Sequence, residues 1–283
     1  MAGQLPAVLT LGDLGDGRYA APNPTDDPEG RDVVFSGQVL AQMIMASDLA
    51  VGSAKDVKSI HAIFARAGTY SAGPMELQLE SMHSGRAWGS DTITARQGDR
   101  LLSRSLVLLN TIEPDLIRHG PAMPDVPRPD ELATDAGALV YPGVETRTVD
   151  DPKATTPQGA PTMHFWMRHG ESYDSVAANQ AILSWCQPGM IIGLAMRPHS
   201  AVVNIADAHR TISTGVIAHT CHFHERFDVG QWLLVAQEAT YAGRGRVNGS
   251  GSVFTEDGQL VSTFAQDSMV RGVEGTLDPS RSM

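Results

Sequence analysis

Apolar and polar positions fall along this chain in two similar series. The first holds IHAIFARAG (Ile60–Gly68), PMELQLES (Pro74–Ser81) and QGDRLLSRSLVLL (Gln97–Leu109). The second holds AHTCHFHERF (Ala218–Phe227), QWLLVAQEA (Gln231–Ala239) and EDGQLVSTFAQDSMVR (Glu256–Arg271). Phe64 and Phe223, Leu101 and Leu260, and Ser103 and Ser262 stand at one constant offset. MELQLES alternates apolar and polar residues, and MHFWMRH (Met163–His169) puts Met163, Phe165 and Met167 on one side, the pattern of half-buried strands. A duplicated strand-rich unit predicts a fold with a built-in interface.

Each half also begins with a helix. In Phe35–Val51 the apolar Val39, Leu40, Met43 and Ile44 form the stripe of a helix with one buried face. Its small residues, Ser36, Gly37, Ala41, Ala46 and Ser47, permit close approach to a sheet. Ser175–Gly189 starts after an Asp174 or Ser175 cap and stops at Pro188-Gly189. Aligning Gly37-Gln38 with Asn179-Gln180 sets the two helices in register. Ser84-Gly85, Gln97-Gly98-Asp99 and Asp257-Gly258 read as turns, the last a strong hairpin signal.

Glu113–Pro161 is rich in proline, aspartate and threonine, with a short strand-like VETRTV (Val144–Val149) inside it. The expected organisation is a first unit over 1–112, a linker over 113–143, a second unit over 144–272 and a frayed tail over 273–283. A helix packed on a long antiparallel sheet, occurring twice, is an α+β tandem (double) hot-dog pattern. Joining two such units into one sheet covers an edge strand on each. A ligand crevice is then expected between them.

Composition narrows the partners. The chain has 283 residues, 42% hydrophobic and 19% charged, typical of a soluble globular protein. No apolar run approaches a membrane span, and the N-terminus lacks the basic region of a signal peptide. Cys186 and Cys221 are too few for a disulfide framework and point to a reducing cytoplasm. A net charge of −11 disfavours nucleic acid or an anionic membrane. An anionic small ligand remains compatible, because a few local arginines outweigh a distant negative field.

These segments resemble the acyl-CoA thioesterase II (TesB-like) family of double hot-dog thioesterases. FSGQVLAQ looks like that family's F-G-G-Q-V helix start, and SIHAIFARAG like its S-L-H-x-x-F-x-R-P-G strand. SGRAWGSDTITARQGDRLL is similar to its D-G-R-S-F…R-x-V…Q-x-G segment, and VETRTVDDP to the strand opening the second unit. HTCHFHERFDVGQWLLVAQEA resembles H-S-M-W-F-H-R-P-F…E-W-L-L, and EDGQLVSTFAQDSMVR resembles D-G-x-L-V-A-S-x-x-Q-E-G-x-x-R. The similarity covers nearly the whole chain in order. It implies hydrolysis of fatty acyl-CoA thioesters by a water held by an Asp, a Thr and a Gln. A carboxylate deprotonates such a water. A hydroxyl and a carboxamide complete its hydrogen bonds without adding charge. No cofactor and no acyl-enzyme is needed. Further association of hot-dog sheets into a homo-oligomer is expected.

Carried over by position, the glutamine falls on Gln266, the aspartate on Pro188 and the threonine on Val216. The Asp of the family's Asp-His pair falls on Ala218. Pro188 cannot act as a base, and Val216 has threonine's shape without its hydroxyl. Thr214, about 7 Å from Val216 on the same strand face, is the auxiliary candidate. Gln187, next to Pro188, is expected to point about 100° away around the helix. Two readings follow: hydrolysis of an acyl-CoA, or acyl-CoA binding with a degenerate site.

Other residues were weighed with these. Asp56 and His61 have the D-x4-H spacing of hot-dog enoyl-CoA hydratases, without the intervening Asn-Pro. His219, His222 and His224 form an H-x-x-H-x-H cluster. On a strand His219 faces away from the other two, so no three-ligand metal site is expected. His222 shares parity with Val216 but lies roughly 20 Å along the strand. Cys221 and His222, as strand neighbours, point to opposite faces and make no nucleophilic pair. Arg86, Arg244 and Arg246 are candidates for contacts to CoA phosphates. Asp48, near the end of the first helix, is a candidate for a relocated site.

Overall fold

A computed structural model describes residues 3–24, 32–52, 54–135, 143–149, 161–203 and 210–273. The first half contributes β1 (Gly12–Gly15), β2 (Arg18–Ala21), α1 (Ser36–Val51), β3 (Asp56–Phe64), β4 (Met75–Ser84), β5 (Trp88–Gln97) and β6 (Arg100–Asn110). The second contributes β7 (Val144–Thr148), β8 (Thr162–His169), α2 (Val176–Cys186), α3 (Met190–Met196), β9 (Ile212–Phe223), β10 (Leu233–Gly243), β11 (Arg246–Thr255) and β12 (Leu260–Gly272). The strands form one 12-stranded sheet in the order β1-β2-β4-β5-β6-β3-β9-β12-β11-β10-β8-β7. This is the double hot-dog architecture.

The seam between the halves is the antiparallel pair β3 and β9, with Ile60 opposite Cys221 and Ala62 opposite His219. Edges that would be open in a lone unit are closed there by backbone hydrogen bonds. Equivalent strands keep the offset found in the sequence, and so does an irregularity. On β9 Ile217 is an extra residue between Ala218, opposite Asp267, and Val216, opposite Ser268. On β3 Lys58 is the extra residue at the matching position, between Ser59, opposite Leu108, and Val57, opposite Leu109. Such a bulge reverses the alternation of faces beyond it. Val216 therefore shares the inner face with His219, and the expected parity with His222 is corrected.

Both long helices lie on the inner face. α1 is buried from Gly37 to Ser47 rather than along one stripe, because the sheet, α2 and the N-terminal segment enclose it. That segment accepts from the buried Gln42 amide, whose Nε2 donates to the carbonyls of Val8 (2.8 Å) and Pro22 (2.7 Å). Gly37 sits at the crossing with α2, where a Cβ would lie 2.2 Å from the Trp185 carbonyl oxygen. α1 ends on Gly52 in the left-handed conformation. α2 starts on Ser175, whose Oγ accepts the Ala178 N–H at 3.1 Å.

The expected linker is not slack where it is described. Met123, Val126 and Leu132 pack on the outer face of the second half, against Trp166, Leu234 and Phe254. Trp166 Nε1 donates to the Pro127 carbonyl at 2.9 Å. The short β1–β2 hairpin and α3 were not anticipated from the sequence. Of the expected tail, 274–283 lie outside the described residues.

Candidate functional site

Four buried polar residues of the second half, Gln187, His219, Gln266 and Ser268, converge where α2 ends over β9 and β12. β9 directs His219 inward, and its neighbour on β12, Gln266, does the same. His219 Nδ1 lies 3.1 Å from Gln266 Oε1, and Gln266 Nε2 donates to Ser268 Oγ at 2.8 Å. On the other side of the ring, His219 Nε2 faces Gln187 Oε1 at 3.4 Å. Cys221 donates to that oxygen at 2.8 Å. Phe264 stacks against the imidazole, ring centroids 5.8 Å apart. His219 and Gln266 are each 1% exposed and Gln187 3%.

Gln187 is a correction. It is the last helical turn's cap, following Cys186 and preceding Pro188 and the positive-φ Gly189 (φ +98°). Proline and glycine stop the helix there, and the Gln187 side chain turns onto His219 and Cys221 instead of away. Gly249, opposite Gln266 on β11, lets α3 close over the site. A Cβ there would meet Ile191 Cγ2 at 2.7 Å.

Burial pushes the His219 imidazole down from its ordinary value to about 4. The ring is therefore neutral, with one N–H and one lone pair. Gln266 Oε1 can only accept, which places the proton on Nδ1 and the lone pair on Nε2, toward Gln187. The Gln187 Nε2 group has no hydrogen-bond partner. Among the described residues no carboxylate bonds to any of the three.

Position by position, the sequence candidates divide. Gln266 is at the centre. Val216 lies one step from it, opposite Ser268. Thr214 is opposite Val270, on the same face but roughly 13 Å along the strand from Gln266, and so is not brought into the network. Pro188 is buried directly after Gln187. Arg244 (φ +54°) and Gly245 (φ +73°) form the turn of the β10–β11 hairpin. Arg246 beside it lies 3.4 Å from Asp267 and over the Tyr241 ring. Arg86 is in the β4–β5 turn. Every pairing from β5 to β11 is antiparallel, so Arg86 is at the opposite end of the sheet from Arg244 and Arg246. One ligand cannot use both ends.

The hydratase pair is not assembled. Asp56 is opposite Asn110 and His61 opposite Leu106, roughly 13 Å apart along β6. Asp56 accepts from Arg226 Nε and Nη2, each at 3.0 Å, and His61 lies on the outer face beside Thr220 and His222. Cys221 and His222 do point to opposite faces. Burial raises both cysteine thiols to about 12. The Asp48 carbonyl accepts from Gly52 at the end of α1. Among the described residues no group of three or more His, Cys, Asp or Glu could hold a metal ion, and no helix is long and apolar enough to cross a membrane.

The duplicated fold makes the site one-sided. At the positions of His219, Gln266 and Ser268, the first half carries Ile60, Val107 and Leu109. Ser268 bore no candidate role in the sequence, and His219 entered only as one of the three clustered histidines. The signal that could have found them is this replacement of apolar residues by polar ones between two copies of one core strand.

Comparison with known proteins agrees with the fold and the order of motifs. Residues 119–270 match the family model of the acyl-CoA thioesterase C-terminal domain. The chain is 25% identical to acyl-CoA thioesterase 2 of Haemophilus influenzae over 256 residues, 84% of this chain and 87% of that one. It is 24% identical to human acyl-coenzyme A thioesterase 8, over 84% of this chain and 80% of that one. Among solved structures, the acyl-CoA thioesterase II TesB2 of Mycobacterium marinum superimposes with a TM-score of 0.79 at 24% identity, over 95% and 98% of the two chains. A hot-dog protein of Alicyclobacillus acidocaldarius gives 0.74 at 17% identity, over 93% and 96%. With two halves in one sheet, a buried polar network at the end of the second helix and a matched domain spanning more than half its length, the chain belongs to the acyl-CoA thioesterase II (TesB-like) family.

Proposed function

We propose that this protein hydrolyses an acyl-CoA thioester, with His219 taking the part of the missing carboxylate. The observation that carries this is the buried ring itself. Nδ1 is fixed by Gln266, and Nε2 faces the loosest contact of the network. Burial keeps the imidazole neutral, which leaves the Nε2 lone pair able to accept a proton.

In this reading a water bound at Nε2 attacks the thioester carbon and gives its proton to His219. The carbonyl oxygen becomes an oxyanion beside the unpartnered Gln187 amide, which donates to it. The tetrahedral intermediate collapses, the C–S bond breaks, and CoA leaves as the thiol by taking the proton back from His219. The products are a carboxylic acid and free CoA. Gln266 is a positioning residue that fixes the tautomer. The hydroxyl of Thr214 has no place in this scheme.

Pro188 and Val216 favour a second reading, binding of the acyl-CoA without turnover. Release of free thiol from acyl-CoAs of graded chain length separates the two. We expect release in the native protein and a loss of about a hundredfold in His219→Ala. Stabilisation by the same acyl-CoAs with no thiol released at any length would leave binding alone. A cytoplasmic location and self-association also stand as proposals. They are supported by two free thiols and by the exposed apolar Ile63, Leu106 and Leu108 on the outer face.

A further inference from the structure

We infer that His61 and His222, side by side on the outer face of the sheet, bind a divalent ion of the zinc type as a two-histidine site. The ion would clip the two halves together at their seam. This site lies on the opposite face from the His219 network and does not depend on thioester hydrolysis.

The register of the seam places the pair. His61 is opposite Thr220 and His222 is opposite Ser59, so the two histidines are diagonal neighbours, one on β3 and one on β9. Diagonal neighbours on one face lie within reach of aromatic side chains. Ser59 and Thr220 are small, and the imidazoles meet with ring centroids 5.3 Å apart and planes at 81°. That spacing suits coordination. A metal–nitrogen bond of about 2.0–2.1 Å, with roughly 1.2 Å from nitrogen to ring centroid, separates two rings at a tetrahedral angle by about 5.3 Å.

The remaining contacts leave the right atoms available. His61 Nδ1 lies 3.3 Å from Thr220 Oγ1, which leaves Nε2 for the metal. A hydrogen bond on the second nitrogen is the usual support of a metal-bound histidine. His222 makes no hydrogen bond among the described residues. Burial and then the nearness of His61 lower its pKa, which keeps the ring neutral near neutral pH with a lone pair to give. The neighbouring charges are already paired, Lys58 with Asp56 at 3.7 Å and Glu225 with Arg118 at 2.7 Å.

His224 is not a third ligand. Its ring stacks parallel to that of His222 with centroids 6.5 Å apart, and its Nε2 is 2.9 Å from Thr263 Oγ1. Imidazole lone pairs lie in the ring plane, so two stacked rings do not converge on one ion. The site therefore has two protein ligands, in keeping with the lack of any group of three among the described residues. Water takes the open positions. Histidine at His61 matches the family pattern quoted above, whereas that pattern has Trp at the place of His222. The pair is a feature of this chain.

Titration of the untagged full chain with zinc chloride, by calorimetry and by thermal unfolding, tests the assignment. One zinc should bind per chain. Tm should rise with free zinc, because an ion held by both halves binds only the folded state. His61→Ala and His222→Ala each remove one of the two ligands, so each should weaken binding at least tenfold and abolish the rise in Tm. His222→Trp keeps the outer face filled and should have the same effect, while His224→Ala should leave affinity within about twofold. Melting without zinc shows that each variant is folded. Absence of saturable binding, affinity unchanged in His61→Ala or His222→Ala, or an equal loss in His224→Ala overturns the site.

Discussion

His219 Nδ1 and Gln266 Oε1, 3.1 Å apart on neighbouring strands, fix a buried neutral imidazole whose remaining lone pair points at the end of α2. The folded chain holds that ring near 4, whereas an unfolded chain has the ordinary 6.5. Between these values the unfolded chain binds a proton that the folded chain refuses. Stability therefore falls as pH drops from about 6.5 to about 4, by a contribution of about 3 kcal/mol. Urea unfolding from pH 7 to 4 should show this loss. His219→Phe should remove its share of the slope, and an unchanged slope would mean the ring already titrates in the folded protein.

The same ring sets the acidic limb of activity. A base must be neutral to accept a proton, so kcat/KM should persist below pH 6 and fall only toward pH 4. Replacing Gln266 by Leu removes the acceptor for Nδ1–H. It should lower kcat about tenfold or more with a smaller effect on KM. An acidic limb near 6.5 would show that His219 is not the base.

Much of the fold was legible before any coordinates. The constant offset between Phe64 and Phe223 or Ser103 and Ser262 survives as superposable strands, because strand alternation is a short-range pattern that tolerates little slippage. The site was less legible for two local reasons. The extra residue at Ile217 reverses the face of everything N-terminal to it, and nothing in TGVIAHT marks a bulge. Gln187 keeps helical dihedrals (φ −76°, ψ −45°), and its side chain reaches His219 and Cys221 from the end of α2, a contact that sequence spacing alone does not give. The bulge sits where strand regularity stops, close to where the polar residues gather.

Cys186 and Cys221 are free, buried and held at about 12. Only a thiolate reacts with alkylating agents at useful rates. In the native protein at pH 8 iodoacetamide should modify neither, and both should react after unfolding. Rapid modification of Cys221 in the folded state would show that the floor of the site opens to solvent far more often than its packing implies.

Asp56 and Arg226 join β3 to the segment after β9 through two 3.0 Å hydrogen bonds, with the Asp56 side chain only 7% exposed. Lys58 at 3.7 Å is its other cationic neighbour. Arg226→Ala leaves a buried carboxylate with that weaker partner and should cost about 2 kcal/mol of stability. Adding Asp56→Ala should recover part of it, since the orphaned charge is then gone. A double-mutant cycle that comes out additive would mean the pair contributes nothing across the seam.

Restoring the residue types that the family resemblance implies gives the sharpest test of how this site works. Pro188 directly follows Gln187, and Val216 is opposite Ser268, beside Gln266. Pro188→Asp together with Val216→Thr would place a carboxylate and a hydroxyl at the edge of the same network. A nearby negative charge favours imidazolium, so the acidic limb should move upward from about 4 toward 6.5. In the His219→Ala background the two substitutions should restore thiol release at least tenfold, because the carboxylate supplies the missing base. Failure to rescue, with the protein folded, would show that the Pro188 position does not face the reacting centre. His219 would then be a base that the rest of the chain cannot replace.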